Sequence, residues 1–286
     1  MTTLTWAAEA PETTLPLLRA VAAADGRPEL GDDLPGGFRG GEHLTADLDG
    51  TPVAYAHLDT AGDAFGRQVV ELFVHPDHRR RGIGTAIARA VLDRAAPGAR
   101  FWSHGDHPGA AAIAAGLGLA KVRELLVMRR ALGAGDLPEP AWPEGVTART
   151  FEPGRDEDAV IAVNKAAFDW HPEQGALTVT DLVATEGEPW FDPAGFFLAV
   201  DARDRVLGFH WTKVHPDGEG EVYVVGVDPA AQGGGLGKAL TLVGLHHLEA
   251  AGRPSVLLYV ESDNHPAVAV YTRLGFARSA ADVQWA

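Results

Sequence analysis

The spacing of apolar and polar positions predicts the same order of elements twice along the chain. In the first half, Leu15–Ala24 has helical spacing, and the apolar runs Leu44–Leu48 and Pro52–Leu58 flank an Asp-Gly pair, as the two strands of a hairpin do. The second half repeats this order, with a helix predicted over Glu157–Phe168 and strands over Phe196–Val200 and Val206–Val214.

Each half then continues with a strand, a glycine-rich turn and a helix. The strand-like runs are Gln68–Val74 and Glu221–Val227, and both lead into glycine-containing turns. These turns contain Arg79 and Gln232, which are 153 positions apart, as are the glycines that follow them. Self-similarity at a fixed spacing indicates an internal repeat. The chain is therefore predicted to be a tandem duplication.

A proline-rich stretch separates the two copies. Residues 133–145 contain three prolines and no periodic apolar pattern, which is typical of a semi-rigid linker. We therefore predict an N-terminal domain over 1–132, a linker over 133–145 and a C-terminal domain over 146–286. Helices, an antiparallel meander and a strand–helix–strand–helix order predict an α+β fold in each domain, with a mixed, mostly antiparallel sheet flanked by helices.

Composition narrows the class of protein. The 286 residues are 46% hydrophobic, which is ordinary for a packed chain, and cysteine is absent, which excludes disulfides and thiolate metal sites. The net charge of −15 argues against nucleic acid or an anionic membrane as a partner. The N-terminus shows no secretory signal, so we expect a cytoplasmic monomer that acts on small molecules. His246 and His247 lack a third ligand at metal spacing, so no metal is expected.

The glycine turns predict an anion site, because a strand that leads through glycines into a helix presents free backbone N–H groups. A P-loop is excluded, since Gly237-Lys238 is followed by Ala239 and preceded by Gln232 where a glycine is required. A dinucleotide fingerprint is excluded as well, because neither turn has its third glycine. The remaining pattern is [Arg/Gln]-x-x-Gly-x-Gly, found at Arg79–Gly84 and Gln232–Gly237.

This doubled pattern resembles the GNAT family of acyl-CoA-dependent N-acyltransferases, in which it holds the pyrophosphate of coenzyme A. The resemblance implies two tandem GNAT-fold domains and acetyl-CoA as the acetyl donor. It also implies that Glu221 is the general base, acting through water, and that Tyr259 protonates the departing thiolate, with Tyr271 as the other contender for that role. Gly226 suggests a β-bulge that turns backbone N–H groups toward the thioester.

The repeat predicts that the two copies differ in chemistry. By offset, Glu221 corresponds to Gln68 and Tyr259 to Trp102, and neither counterpart can transfer a proton. Glu71 is a possible substitute base, but it falls three residues late, opposite Val224, which predicts that it lies on the other strand face. We therefore expect the first copy to bind coenzyme A without catalysis and the second copy to be the enzyme.

Longer strings in the second half are similar to the mycothiol synthase family, also called mycothiol acetyltransferases. They include Gly208–Pro216, Gly220–Val224 and Leu258–Asn264. The resemblance implies acetylation of the cysteinyl amine of a cysteine–glucosamine–inositol pseudodisaccharide, the last step of mycothiol synthesis. The implied acceptor contacts are Asp32, Glu173, Lys213, Glu221 and Tyr259.

The same resemblance implies two sets of coenzyme A contacts. In the first half they are Leu72, Phe73, Val74, Arg80, Arg81, Gly82, Ile83, Gly84 and Thr85. In the second half they are Val225, Gly226, Val227, Gln232, Gly233, Gly234, Gly235, Leu236, Gly237, Lys238, Asn264, His265, Pro266, Ala267, Val268 and Ala269. Two alternatives stay open. One is a GNAT enzyme for another amine, such as an aminoglycoside, a polyamine or a protein N-terminus, and the other is a non-catalytic module that senses coenzyme A.

Overall fold

The chain forms two compact units, each described here by itself. The computed structural model describes residues 2–26, 38, 40–172 and 174–286. The N-terminal unit comprises Met1–Glu124 together with Ala281–Ala286, and the C-terminal unit comprises Leu125–Ala280. Both units pack helices on a mixed sheet in which most neighbouring strands are antiparallel, which confirms the predicted fold class. No helix in the described ranges is long and apolar enough to cross a membrane.

The N-terminal unit has the strand order β1-β2-β3-β4-β5, and the end of the last strand of the chain follows β5. The β4–β5 pairing is parallel, and the others are antiparallel. Its elements are β1 (Thr2–Ala7), α1 (Leu15–Asp25), β2 (Glu42–Leu48), β3 (Thr51–Asp59), β4 (Val69–Val74), α2 (Ile83–Leu92), β5 (Arg100–Ser103) and α3 (Pro108–Leu117).

The C-terminal unit has the strand order β7-β8-β9-β10-β11-β6, with β10 and β11 parallel. Its strands and helices in chain order are β6 (Lys121–Ala131), β7 (Thr147–Thr150), α4 (Glu157–Ala167), α5 (Val179–Glu186), β8 (Phe196–Val200), β9 (Val206–Val214), β10 (Gly220–Val227), α6 (Leu236–Ala250), β11 (Ser255–Glu261), α7 (His265–Arg273) and β12 (Ala277–Trp285).

The limits of the units differ from the predicted domain boundaries 1–132 and 146–286, because strands pair across these predicted boundaries. Leu125–Ala131 of β6 pairs with Ser255–Glu261 of β11 and so belongs to the C-terminal unit. Val283–Trp285 of β12 pairs with Phe101–Ser103 of β5 and so belongs to the N-terminal unit. Each unit therefore takes one strand segment from the other half of the sequence.

The predicted linker, residues 133–145, is docked on the C-terminal unit. The backbone N–H of Gly133 donates to Oε1 of Glu249 at 2.9 Å, and His246 Nε2 lies 3.1 Å from the carbonyl oxygen of Pro138. Trp142 packs against the buried cluster that includes Leu236. An aromatic anchor and contacts to α6 make this stretch part of the unit rather than a free connection.

The sheet of the C-terminal unit has two differently packed faces. The face toward α4, called the α4 face below, buries Phe209 and Trp211 of β9 against Val163 of that helix. On the opposite, α6 face, a Cβ on Gly208 would meet Leu240 of α6 at 2.8 Å. Because successive strand residues alternate between faces, these contacts assign every position of β9 and of its register partners to one face.

A β-bulge interrupts β10 at Tyr223, and not at Gly226 as the sequence predicted. Val222 pairs with Thr212 of β9, but Val224 pairs with the next residue, Trp211, which leaves Tyr223 as the extra residue. Gly226 stays in regular register. Its glycine has a packing reason instead, because a Cβ at this position would lie 2.6 Å from a ring carbon of Phe209.

Replacing Gly226 by alanine tests this packing reason. The added methyl group would overlap the Phe209 ring, so Gly226→Ala is expected to lower the free energy of unfolding by about 1–3 kcal/mol. Urea denaturation of the full chain measures the change. The control is Gly237→Ala, whose Cβ would make an ordinary 3.7 Å contact with Val227 and which improves a helical position by up to about 1 kcal/mol. Equal stability of Gly226→Ala and wild type would contradict the packing argument.

Candidate active site

A cleft opens in the C-terminal unit where two parallel strands separate. In the described part of the chain, β10 and β11 pair from Gly220 with Val256 to Val222 with Leu258, whereas β10 continues to Val227. The bulge at Tyr223 lies directly after the last pair. Backbone groups of β10 that face the gap are therefore open to an extended ligand, which can bind there as an added strand.

The N-terminal unit shows the same separation. The parallel register pairs of β4 and β5 are Val69 with Arg100 and Val70 with Phe101, while β4 continues to Val74. The predicted coenzyme contacts Leu72, Phe73 and Val74 form the stretch beyond the last pair, as Val225, Gly226 and Val227 do in the other unit.

The first residue of each glycine motif ties its loop to the end of the preceding strand. Arg79 Nε donates to the carbonyl oxygen of Val74 at 3.1 Å, and Gln232 Nε2 donates to that of Val227 at 3.2 Å. The guanidinium of Arg79 also forms two hydrogen bonds with the carboxylate of Asp25 at the end of α1, at 2.8 and 2.7 Å. This explains why arginine and glutamine are interchangeable here: both supply an N–H donor to a strand-end carbonyl.

The glycines of the motif let the chain turn into a helix with its donors exposed. Gly82 and Gly235 precede α2 and α6 with φ of +80° and +84°, a left-handed conformation that favours glycine. The helical hydrogen bond that begins at Gly235 comes from Ala239 N. The N–H groups before Ala239 point out of the helix end, where they can bind a pyrophosphate.

The remaining predicted coenzyme contacts of the C-terminal unit lie at the start of α7. Asn264 is the N-cap residue, and its side chain accepts a hydrogen bond from Ala267 N at 3.2 Å. Pro266 occupies the first turn, where a missing N–H costs nothing. His265, Val268 and Ala269 complete this turn, which follows β11 and therefore begins at the same end of the cleft as the glycine loop.

A cavity of about 870 Å³ marks the corresponding place in the N-terminal unit. Its wall combines the open end of β4 with the glycine loop and with the start of α3. Of the predicted coenzyme contacts, it is lined by Leu72, Phe73, Val74, Arg80, Gly82, Gly84 and Thr85.

On the α4 face of the C-terminal unit, the sheet brings the predicted acid–base residues together. Glu221 pairs with Lys213 on β9 and with Leu257 on β11, and register partners point to the same face. Tyr259 lies two residues beyond Leu257 and thus on that face as well. Glu221 is 6% exposed and Tyr259 48% exposed. A buried carboxylate and an accessible phenol therefore share the face at the mouth of the cleft.

Polar and aromatic partners fix the charges around Glu221. Its Oε2 lies 2.8 Å from Nε2 of His215, and this hydrogen bond raises the pKa of His215 above its ordinary value. Lys213 Nζ lies over the rings of Trp190 and Tyr223, at 4.4 and 5.1 Å from their centres. Burial and the nearby Glu221 carboxylate raise the pKa of Tyr223, so its hydroxyl stays protonated.

Tyr271, the other contender for the acid, is in a packed environment. Its ring meets that of Phe276 edge to face, with centres 5.8 Å apart. Burial raises the pKa of Tyr271 to about 12, which disfavours its phenolate. Tyr259 on β11 stays the candidate acid.

Comparison with known proteins decides the family. The acetyltransferase (GNAT) family model matches residues 16–115 and 161–276, once in each repeat. The chain belongs to the GNAT family of acetyltransferases. It is 58% identical over 279 residues to the mycothiol acetyltransferase of Amycolatopsis mediterranei, which covers 94% of this chain and 92% of that protein. As in other GNAT enzymes, the acetyl donor is acetyl-CoA, which confirms the predicted cofactor.

Two further similar proteins match this chain over all or nearly all of its length. The mycothiol acetyltransferase of Actinosynnema mirum is 56% identical, with 100% of both chains covered. The crystal structure of a GCN5-related N-acetyltransferase from Sphaerobacter thermophilus is 26% identical and superimposes with a TM-score of 0.72, covering 99% of this chain and 94% of that one. The tandem arrangement of GNAT domains predicted from the 153-residue offset is thereby confirmed.

Sequence reasoning missed three residues that contact the candidate residues Glu221 and Lys213. His215 binds Glu221, and Trp190 and Tyr223 hold Lys213. The sequence pointed to His215 only through the family-like segment Gly208–Pro216, because its contact with Glu221 depends on the turn between β9 and β10. Two predicted acceptor contacts, Asp32 and Glu173, lie outside the described residues.

The N-terminal unit differs at each matching position. Gln68, the offset counterpart of Glu221, accepts a hydrogen bond from Ala96 N at 2.7 Å. Because β10 carries the extra residue Tyr223, the strand register instead puts Val69 at the position of Glu221. Trp102, the counterpart of Tyr259, stacks on His104 with ring centres 5.4 Å apart. Neither Val69 nor Trp102 can transfer a proton, and the loss of catalysis in this copy stays a prediction.

The sequence predicted that Glu71 lies on the strand face away from the site, and this prediction is wrong. Glu71 pairs with His57, and its neighbour Phe73 packs under α1, so both residues lie on the face that corresponds to the α4 face. The offset argument failed because β10 carries the extra residue Tyr223, which reverses the alternation, whereas β4 pairs in continuous register. The carboxylate of Glu71 lines the cavity and hydrogen-bonds His104 Nε2 at 3.0 Å.

Substitutions in the two glycine loops test the two predicted coenzyme sites. Valine strongly resists a left-handed backbone, so Gly235→Val should abolish one acetyl-CoA binding event and Gly82→Val the other. Titration calorimetry of the full chain counts them. Gly252→Val is the matched control, because Gly252 has φ of +71° and open surroundings but lies outside both loops. Two intact events in both loop variants would contradict the assignment.

Proposed function

We propose that this chain acetylates the cysteinyl amine of the cysteine–glucosamine–inositol pseudodisaccharide with acetyl-CoA and so forms mycothiol. The observation that carries the proposal is the identity of 58% and 56%, over nearly the full length, to proteins named mycothiol acetyltransferase. The geometry of the C-terminal unit supports it, because the cleft, the glycine loop and the buried Glu221 supply a thioester site with a base.

Glu221 serves as the general base in this proposal. An ammonium ion has no lone pair, so the acceptor must lose a proton before its nitrogen attacks the thioester carbon. The Glu221 carboxylate takes that proton through a water molecule. Lys213 is the register partner of Glu221 on β9, so its side chain lies on the same face of the sheet as the carboxylate.

Backbone and phenol groups complete the transfer. When the nitrogen attacks, the carbonyl oxygen becomes an oxyanion, and N–H groups of β10 beyond the bulge at Tyr223 supply hydrogen-bond donors. The carbon–sulfur bond then breaks, and the hydroxyl of Tyr259 gives its proton to the thiolate. The exposure of Tyr259 at 48% supports this role, because the phenol is accessible from the cleft.

Hydroxyl-rich acceptors fit the surroundings of Glu221. Lys213 donates hydrogen bonds, and Trp190 and the exposed ring of Tyr223 offer flat apolar surfaces on which a sugar or inositol ring can stack. Asp32 and Glu173 stay predicted acceptor contacts.

The N-terminal unit is proposed to bind coenzyme A without catalysing transfer. Its cavity and glycine loop match a coenzyme site, but β4 has continuous register, and Val69 at the register position of Glu221 cannot transfer a proton. Without a bulge, the N–H groups beside the thioester keep regular strand geometry. The C-terminal unit then carries the chemistry. That the protein is a cytoplasmic monomer without nucleic-acid or membrane partners stays a prediction.

The decisive assay follows release of free coenzyme A from acetyl-CoA in the presence of the cysteinyl pseudodisaccharide. We expect turnover with this acceptor and much slower turnover with spermidine and with an aminoglycoside. Release with spermidine or the aminoglycoside alone would replace the proposed acceptor. Binding of acetyl-CoA without release for any amine would favour a coenzyme A sensor.

Glu221→Gln tests the base. Glutamine keeps the shape of the side chain but cannot accept the proton, so kcat should fall by about 10²–10⁴-fold. Glu219→Gln is the matched control, because Glu219 lies two residues away and binds Arg129 and Ser255 instead. An unchanged rate in Glu221→Gln would remove this residue as the base.

Tyr259→Phe tests the acid in the same assay. Loss of the hydroxyl should lower kcat by about 10²-fold while acetyl-CoA affinity stays unchanged. Tyr271→Phe serves as the control, since the Tyr271 ring packs on Phe276. A larger loss in Tyr271→Phe than in Tyr259→Phe would reverse the two roles.

A further inference from the structure

His215 is held beside the proposed base by a tight turn. The backbone N–H of His215 donates to Glu219 O at 2.9 Å, and that of Gly218 donates to His215 O at 2.8 Å. Gly218 has φ of +88°, which glycine adopts without strain. The turn joins β9 to β10 and places the imidazole Nε2 of His215 at 2.8 Å from Oε2 of Glu221.

Exposure differs sharply between the two partners. The side chain of Glu221 is 7% exposed, whereas that of His215 is 30% exposed. The imidazole therefore touches the buried carboxylate at one nitrogen and reaches the surface with the rest of its ring.

The proton balance of the reaction shows what the contact between His215 and Glu221 can do. An ammonium ion and a thioester become an amide, a thiol and one free proton. The nitrogen loses a second proton as the amide forms, and this proton restores the phenol of Tyr259, so the surplus proton is the one on Glu221. A carboxylic acid that is almost fully buried exchanges poorly with bulk water, so the enzyme needs a carrier before the next turnover.

We propose that His215 carries this proton from Glu221 to solvent, as a positioning and proton-relay residue of the acetyl transfer. The inference rests on the proposed role of Glu221 as the base. Nε2 of neutral His215 accepts the proton from the Glu221 carboxyl group, and the imidazolium then loses a proton to water. Its hydrogen bond also orients the ionised carboxylate for the next acceptor.

The groups around His215 set the pH range of the relay. Glu221 on β10 and Asp217 in the turn favour the imidazolium, while Lys213 on β9 opposes it, and the net effect is a raised pKa of His215. His215 can accept a proton only when it is neutral. We therefore expect kcat to rise with pH through a pKa above the usual value of about 6.5 for histidine.

Steady-state kinetics of His215→Asn test the relay. Asparagine can still donate a hydrogen bond to Glu221 but cannot carry a proton, so kcat should fall at least about tenfold while kcat/KM for the acceptor changes little. Added imidazole should restore kcat in His215→Ala, because a small base can enter the vacated space. His246→Asn is the control with unchanged kinetics, because His246 lies on α6 and its Nε2 is 3.1 Å from the carbonyl oxygen of Pro138, away from Glu221.

Two kinetic outcomes would overturn the relay. One is an unchanged kcat in His215→Asn. The other is an equal fall of kcat and kcat/KM without imidazole rescue, which would show a structural role only.

A measurement independent of the acceptor separates this inference from the proposed function. Titration of the His215 imidazole by NMR in wild type and in Glu221→Gln should show a lower pKa in the variant, since the carboxylate partner is lost. An identical pKa in both proteins would overturn the coupling between the two residues. Absence of coenzyme A release from wild type with the pseudodisaccharide would instead count against the proposed function.

Discussion

The parting of two parallel strands is the constraint on which the active site depends. As long as β10 and β11 stay paired, their backbone groups satisfy each other and leave no room for a ligand. Past Val222, the extra residue Tyr223 changes the twist and the alternation of β10, and the strand edge becomes available. Glu221 lies immediately before this point and Val225 after it. The positions of the proposed base and of the proposed donors for the thioester thus depend on one local irregularity.

The two repeats share the features that a coenzyme loop needs and differ in those that the proposed chemistry needs. Both keep the strand-end anchor, from Arg79 in one copy and Gln232 in the other, and both start a helix from a left-handed glycine. Of these two strands only β10 has the bulge, and Val69 in the first copy holds the register position of the proposed base, Glu221. Phosphate binding depends on backbone geometry that many side chains tolerate, whereas proton transfer depends on specific groups.

The sequence predicted much of this arrangement because periodicity, glycine spacing and the repeat offset are local properties. The helices, the glycine loops and the candidate residues Glu221 and Tyr259 could be predicted from these local properties. The bulge was predicted at Gly226 because a glycine in a strand is the usual signal, but the register shift depends on how β9 pairs across from Tyr223. The same shift is the reason why Glu71 was predicted on the incorrect face of its strand. The role of His215 was missed because the turn between β9 and β10 brings it to Glu221. The exchange of strand segments was missed because the paired strands are far apart in sequence.

The exchange of strand segments also bears on how the duplicated chain has been kept. Leu125–Ala131, encoded with the first copy, completes the sheet of the second, and Val283–Trp285 at the end of the chain completes the sheet of the first. A gene that lost the first copy would leave β11 of the second copy with an unpaired edge. If the first copy only binds coenzyme A, as we propose, selection for the reaction still preserves its strands. Side chains of the first copy can then change while its backbone is kept.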